Sequence, residues 1–142
     1  MKFTLDTNVL VRLATQDDAK QSALALKVLQ TASLMAVPTT ALCEMVWVLQ
    51  RGYRYTPEQI SHAIRTLLQV NQVVCNTPAV LAGLAVLQTG GDFADGVIAF
   101  EGELLGGQEF VTFDQAAAKL LKNQKRKVRL LKTARTPLQP KR

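Results

Sequence analysis

Short apolar runs of strand length recur along the chain, each separated from the next by segments with helical spacing. The runs are Lys2-Phe3-Thr4-Leu5, Met35-Ala36-Val37-Pro38, residues 72–76, 109–113 and 128–131. Between them, residues 7–14 and 17–31 read as helices, the second with Asp17 as its expected cap. Thr39 or Thr40 is placed to cap a helix reaching about Gln50, with Gly52 as its stop. Thr56 followed by Pro57 is a helix start, and Ile60, Ile64, Leu67 and Leu68 share that helix's inner face. Further helices are expected from Thr77-Pro78 to Gly90-Gly91, over 93–105 up to Gly106-Gly107, and over 115–121. Strands that alternate with helices call for a parallel sheet covered on both faces, an α/β class with three layers.

Four acidic residues stand among these apolar runs. Asp6 ends the first run and Asp114 follows the fourth. Glu44 interrupts Ala41-Leu42-Cys43 and Met45-Val46-Trp47, and Asp95 precedes Gly96-Val97-Ile98-Ala99-Phe100. A carboxylate in an apolar setting costs free energy unless its charge is compensated. A divalent cation with oxygen ligands is the usual compensation, which points to metal-assisted phosphate chemistry. In an open α/β sheet the ligand crevice lies at the carboxyl ends of the strands, where Asp6 and Asp114 fall, so all four acids are expected to converge on one edge.

The charge is uneven. Residues 119–142 hold ten of the seventeen Lys and Arg and no Asp or Glu, whereas the first 118 residues carry seven basic and eleven acidic side chains. A basic end on an acidic body suggests a polyanionic partner. The last residues, 132–142, include Thr136-Pro137-Leu138-Gln139-Pro140 and read as a flexible basic tail to a single domain at 1–131. No segment reaches the ~18 uninterrupted apolar positions of a membrane helix. The acid at position 6 argues against a signal peptide, so cytoplasm is the expected compartment. Cys43 and Cys75 stand alone and are expected as buried, reduced thiols.

Leu5-Asp6-Thr7-Asn8-Val9-Leu10 resembles the opening of PIN-domain ribonucleases, in particular the VapC toxins of bacterial toxin–antitoxin pairs. The resemblance continues through Glu44, Asp92-Phe93-Ala94-Asp95-Gly96-Val97-Ile98-Ala99 and Val111-Thr112-Phe113-Asp114. It implies a PIN-like α/β/α fold with a short, mostly parallel central sheet. It implies cleavage of single-stranded or loop RNA with Mg²⁺, for which Mn²⁺ can substitute. Asp6, Glu44, Asp95 and Asp114 would be the catalytic acids, with Asp6, Asp95 and Asp114 on the metal. Thr7, Asn8, Asp92 and Thr112 would support them. It further implies a homodimer and a VapB-like antitoxin, with operator DNA bound only through the antitoxin complex and no membrane association. The surface around Met45, Trp47, Val48 and Leu49, with the helix at 60–68, is the candidate partner face. Gly96 stands where these toxins more often carry Ala, at an expected cost of about 1 kcal/mol in helix propensity.

Each acid has a plainer reading. Asp6 and Asp114 could cap the helices they precede, Asp92 and Asp95 compete for one cap, and Glu44 could pair with Arg51 or Arg54. His62 is expected at the surface or a partner contact, and Trp47 in the core or at a subunit contact. A haloacid-dehalogenase-type phosphatase would need Asp where Asn8 stands. A receiver domain would need an adjacent acidic pair at a strand end. The remaining alternative is a non-catalytic nucleic-acid-binding module that uses the basic C-terminus.

Overall fold

A computed structural model describes residues 1–132. Apart from Lys132, the expected tail lies outside the described residues. The element order is β1 (Lys2–Thr4), α1 (Thr7–Thr15), α2 (Ala19–Thr31), β2 (Leu34–Ala36), α3 (Thr39–Arg51) and α4 (Pro57–Leu68). It continues with β3 (Val73–Val74), α5 (Thr77–Gln88), α6 (Phe93–Leu104), β4 (Phe110–Thr112), α7 (Gln115–Asn123) and β5 (Val128–Leu130).

The strands pair in two parallel ladders. In the first, β2 lies between β1 and β3, with Phe3 opposite Met35 and Met35 opposite Val73. In the second, β4 pairs with β5, Val111 opposite Arg129. Parallel neighbours need a long crossover, and one or two helices supply it each time. The result is the three-layer α/β/α arrangement read from the sequence, on strands of only two or three residues.

One buried cluster joins the first ladder to the helices, and its fully enclosed members include Leu10, Met35, Leu42, Met45, Leu49, Ile60, Ile64, Leu84 and Phe93. Each such side chain contributes roughly 1.5–3 kcal/mol by leaving water. Val86, Ala99 and Leu121 form a smaller core, against which Phe110 and Val128 of the second ladder pack. The two thiols depart from the expected burial: Cys43 and Cys75 are only half-buried. The residues of the expected partner face divide between core and surface. Met45, Leu49, Ile60 and Ile64 are core residues, whereas Trp47 is exposed and belongs to neither cluster.

Helix starts follow local chemistry more closely than the spacing suggested. Thr56 and Gln59 form a reciprocal capping box before α4. The start of α3 lacks a side-chain cap, its N-cap position being Pro38 rather than Thr39 or Thr40. At α2 the cap is Asp18, whose Oδ1 accepts from the Gln21 N–H, and not Asp17.

Asp17 is engaged elsewhere. It accepts hydrogen bonds from the hydroxyls of Tyr53 (2.7 Å) and Thr15 (2.8 Å) and from Arg12 (3.0 Å). Arg12 also donates to the Tyr53 oxygen, tying α1 and the start of α2 to the chain beyond α3. The Tyr53 hydrogen bond, then that from Thr15, holds the Asp17 carboxyl below its ordinary value of 3.8. The unfolded chain therefore binds the proton more readily, so this contribution is intact above pH ~4 and fades as pH falls through the lowered value. Tyr53→Phe is expected to flatten the dependence of melting temperature on pH in that acid range and to leave the neutral-pH shape of the curve unchanged. An identical acid limb in parent and variant would remove Tyr53 as the cause.

Candidate active site

Leu5 is the last residue of the first strand to be held by the ladder, its N–H donating to the Ala36 carbonyl at 3.0 Å. Asp6 follows at once, in extended conformation, and its Oδ1 accepts from the Val9 N–H at 3.2 Å. It is therefore an N-cap, as the plainer reading had it. It is also exposed, so the apolar neighbours in sequence do not surround it in space. A cap occupies one carboxylate oxygen and leaves the group's charge at a strand end, so the two roles are compatible.

Glu44 is exposed on α3, one turn into the helix after the second strand. Its Oε1 accepts a hydrogen bond from Thr7 Oγ1 at 2.9 Å, across the packed pair α1 and α3. This contact, rather than one with Arg51 or Arg54, holds the side chain. It brings Glu44 beside the residue that follows Asp6. Asn8 is exposed on α1.

At α6 the competition between two acids is resolved. Asp92 is the cap, its Oδ1 accepting from the Ala94 N–H at 3.1 Å, while its carbonyl accepts from the Asp95 N–H. Asp95 sits in the first turn with only 6 % of its surface exposed. The helix dipole favours a negative charge there. Of the four acids, Asp95 alone meets the expectation of burial. Asp114 is half-buried and caps α7, its Oδ1 accepting from the N–H groups of Ala116 (2.9 Å) and Ala117 (3.1 Å). Thr112 supports it from the strand end, its hydroxyl oxygen accepting from the Asp114 N–H at 2.9 Å.

Asp95 and Thr112 open onto the same cleft, of about 460 Å³, between α6 and the second ladder. Its lining also includes Glu103 and Arg126, which are ion-paired at 2.7 Å. That pair escaped the sequence reading, because Glu103 lies on α6 and Arg126 in the connection from α7 to β5, and no local spacing connects them.

The candidate ligands are all carboxylate oxygens, the hard donors that Mg²⁺ and Mn²⁺ take. Among the described residues no group of three or more His, Cys, Asp or Glu is arranged to hold a metal ion, so a ready cage of Asp6, Asp95 and Asp114 is not displayed. Mg²⁺ commonly takes one or two protein carboxylates and completes its shell with water and substrate phosphate. For that coordination the donor set is suitable.

The family model described as the PIN domain matches residues 3–123, and the chain belongs to this family. PIN domains are generally metal-dependent nucleases. No curated protein matches the chain. No helix among the described residues is long and apolar enough to cross a membrane.

Proposed function

We propose that this PIN-domain protein is a Mg²⁺-dependent endoribonuclease, with Mn²⁺ able to substitute, and the toxin of a toxin–antitoxin pair. The observation that carries the reading is Asp95, a carboxylate held almost wholly out of water in the first turn of α6 and lining a cleft. Asp6 at the end of β1, with Glu44 held by its chain neighbour Thr7, supports the same reading.

Asp6 and Asp95 are the residues we assign to the cation, with Asp114 completing its surroundings or accepting a proton. When bound, a divalent cation acidifies water and neutralises charge on phosphoryl oxygens. Glu44, exposed and held at one oxygen by Thr7, accepts a hydrogen bond from the attacking water and fixes its direction. The water oxygen bonds to phosphorus, the bond to the 3′-oxygen breaks, and that oxygen leaves with a proton. The ribose 2′-hydroxyl takes no part.

The basic residues 119–142 fit a strand of RNA phosphates. For the antitoxin we assign the apolar groove of about 650 Å³ between α1, α2 and α4, walled by Leu13, Leu26, Leu29, Tyr55 and Leu67, with His62 on its lining. Homodimerisation, cytoplasmic location and operator binding through the antitoxin complex complete the proposal.

The chemistry is tested by its products. Purified protein is expected to cut RNA with Mg²⁺ or Mn²⁺, to stop in EDTA, and to leave 5′-phosphate and 3′-hydroxyl ends. Products ending in 2′,3′-cyclic phosphate, or full activity in EDTA, would contradict the mechanism.

A further inference from the structure

We propose that Trp47 and Arg51 form a stacking platform for one nucleobase of the RNA, next to the phosphate that is cut. The proposal rests on the nuclease reading above and names a substrate contact that the acids do not supply. Residues 44, 47 and 51 lie at spacings of three and four, so they share one face of α3. That face is opposite the one that buries Leu42, Met45, Val46 and Leu49 in the core.

Trp is highly buried on average, yet Trp47 is 52 % exposed. The Arg51 guanidinium carbon lies 5.7 Å from its ring centroid, within cation–π range. One turn back on the same face, about 4.5 Å along the axis, is Glu44, whose carboxylate is bonded to Thr7 beside Asp6. An indole flanked by a guanidinium suits a single strand twice over: the ring takes a base and the cation takes a phosphate oxygen. Stacking tolerates any base, so the platform would position RNA against the acids without reading its sequence.

Trp47 is the chain's one tryptophan, so its emission reports on this face alone. The experiment titrates the intact protein in EDTA with a single-stranded RNA of about ten nucleotides, a length within the usual site size. Tryptophan emission is recorded alongside the anisotropy of the same RNA carrying a label. Emission is expected to be quenched with the midpoint that anisotropy gives. Trp47→Leu is expected to raise Kd about fivefold or more, with Trp47→Phe recovering part of the loss. With Mn²⁺ present, Trp47→Leu should raise KM more than it lowers kcat.

Binding seen by anisotropy without any change in emission overturns the platform, and so does a Trp47→Leu protein that binds as the parent does. Emission that varies with protein concentration in the absence of RNA assigns the face to a second copy of the chain and likewise overturns it. If the parent still cleaves RNA in these cases, the nuclease reading stands without the platform. Quenching by RNA in a protein that never cleaves with Mn²⁺ supports the platform and removes the nuclease.

Discussion

Asp6→Asn is expected to slow Mn²⁺-dependent RNA cleavage at least about 100-fold while leaving the metal-free fold as stable as the parent. The two halves of that result follow from the cap that Asp6 forms and from the cation role proposed for it. As a cap it offers one oxygen to the Val9 N–H at 3.2 Å, and an Asn side-chain oxygen fills that place about as well. As a cation ligand it would offer negative charge, which Asn lacks. Asp6→Ala separates the roles, since it should lose the cap and melt lower in EDTA by about 1 kcal/mol, or roughly 3 °C for a chain of this length. Ligand linkage supplies a second readout. Mn²⁺ at about 100 times its Kd stabilises a protein that holds it by about 2.7 kcal/mol, close to 9 °C here. The parent should show that shift and both variants should lack most of it. If parent and Asp6→Asn melt alike with and without Mn²⁺ and cut RNA equally, Asp6 is a helix cap and nothing more.

The sequence carried the strand-and-helix alternation clearly, because each strand is a brief apolar run and each helix is announced at its ends. Asp18 was mistaken for its neighbour Asp17 because adjacent acids look alike to a capping rule. Only the fold reveals that Tyr53, thirty-six residues on from Asp17, claims the latter. The candidate acids could be named from the sequence, but their environments could not. Apolar neighbours in sequence suggested four buried carboxylates. On a helix, however, successive residues face different directions, so Glu44 among core residues still points to solvent. Trp47, three residues further along the same exposed face, is likewise outside the core, which was one of the two places expected for it. Asp95 is buried because α6 is covered on the side that carries it, and no local pattern distinguishes that from a cap. Burial depends on which face another element covers, a long-range property that local composition does not encode.

Gly96 shows the same limit, and its replacement has the second large expected effect. Read as sequence, it is a helical glycine whose change to Ala should add stability through propensity. In the fold, a Cβ there would lie 2.3 Å from the Ala82 carbonyl oxygen and 2.9 Å from Gly83 Cα, both backbone atoms of α5. No side-chain rotamer relieves such a contact, so α5 and α6 must separate. Overpacking of this kind costs about 1–3 kcal/mol or more, against about 1 kcal/mol gained in propensity. Gly96→Ala is therefore expected to melt lower than the parent, by about 7 °C if the net loss is near 2 kcal/mol. Since Gly96 adjoins Asp95, the displaced helix should also slow cleavage, for which a 1 Å misplacement can cost about 100-fold. Gly102 on the same helix is the control. A Cβ there meets nothing within 4 Å, so Gly102→Ala should gain propensity unopposed and melt about 2–3 °C higher. Thermal melts of the two variants decide the matter by their opposite signs. A Gly96→Ala protein that melts at or above the parent would mean that α5 and α6 have room to spare, and that the close approach does not fix the position of Asp95.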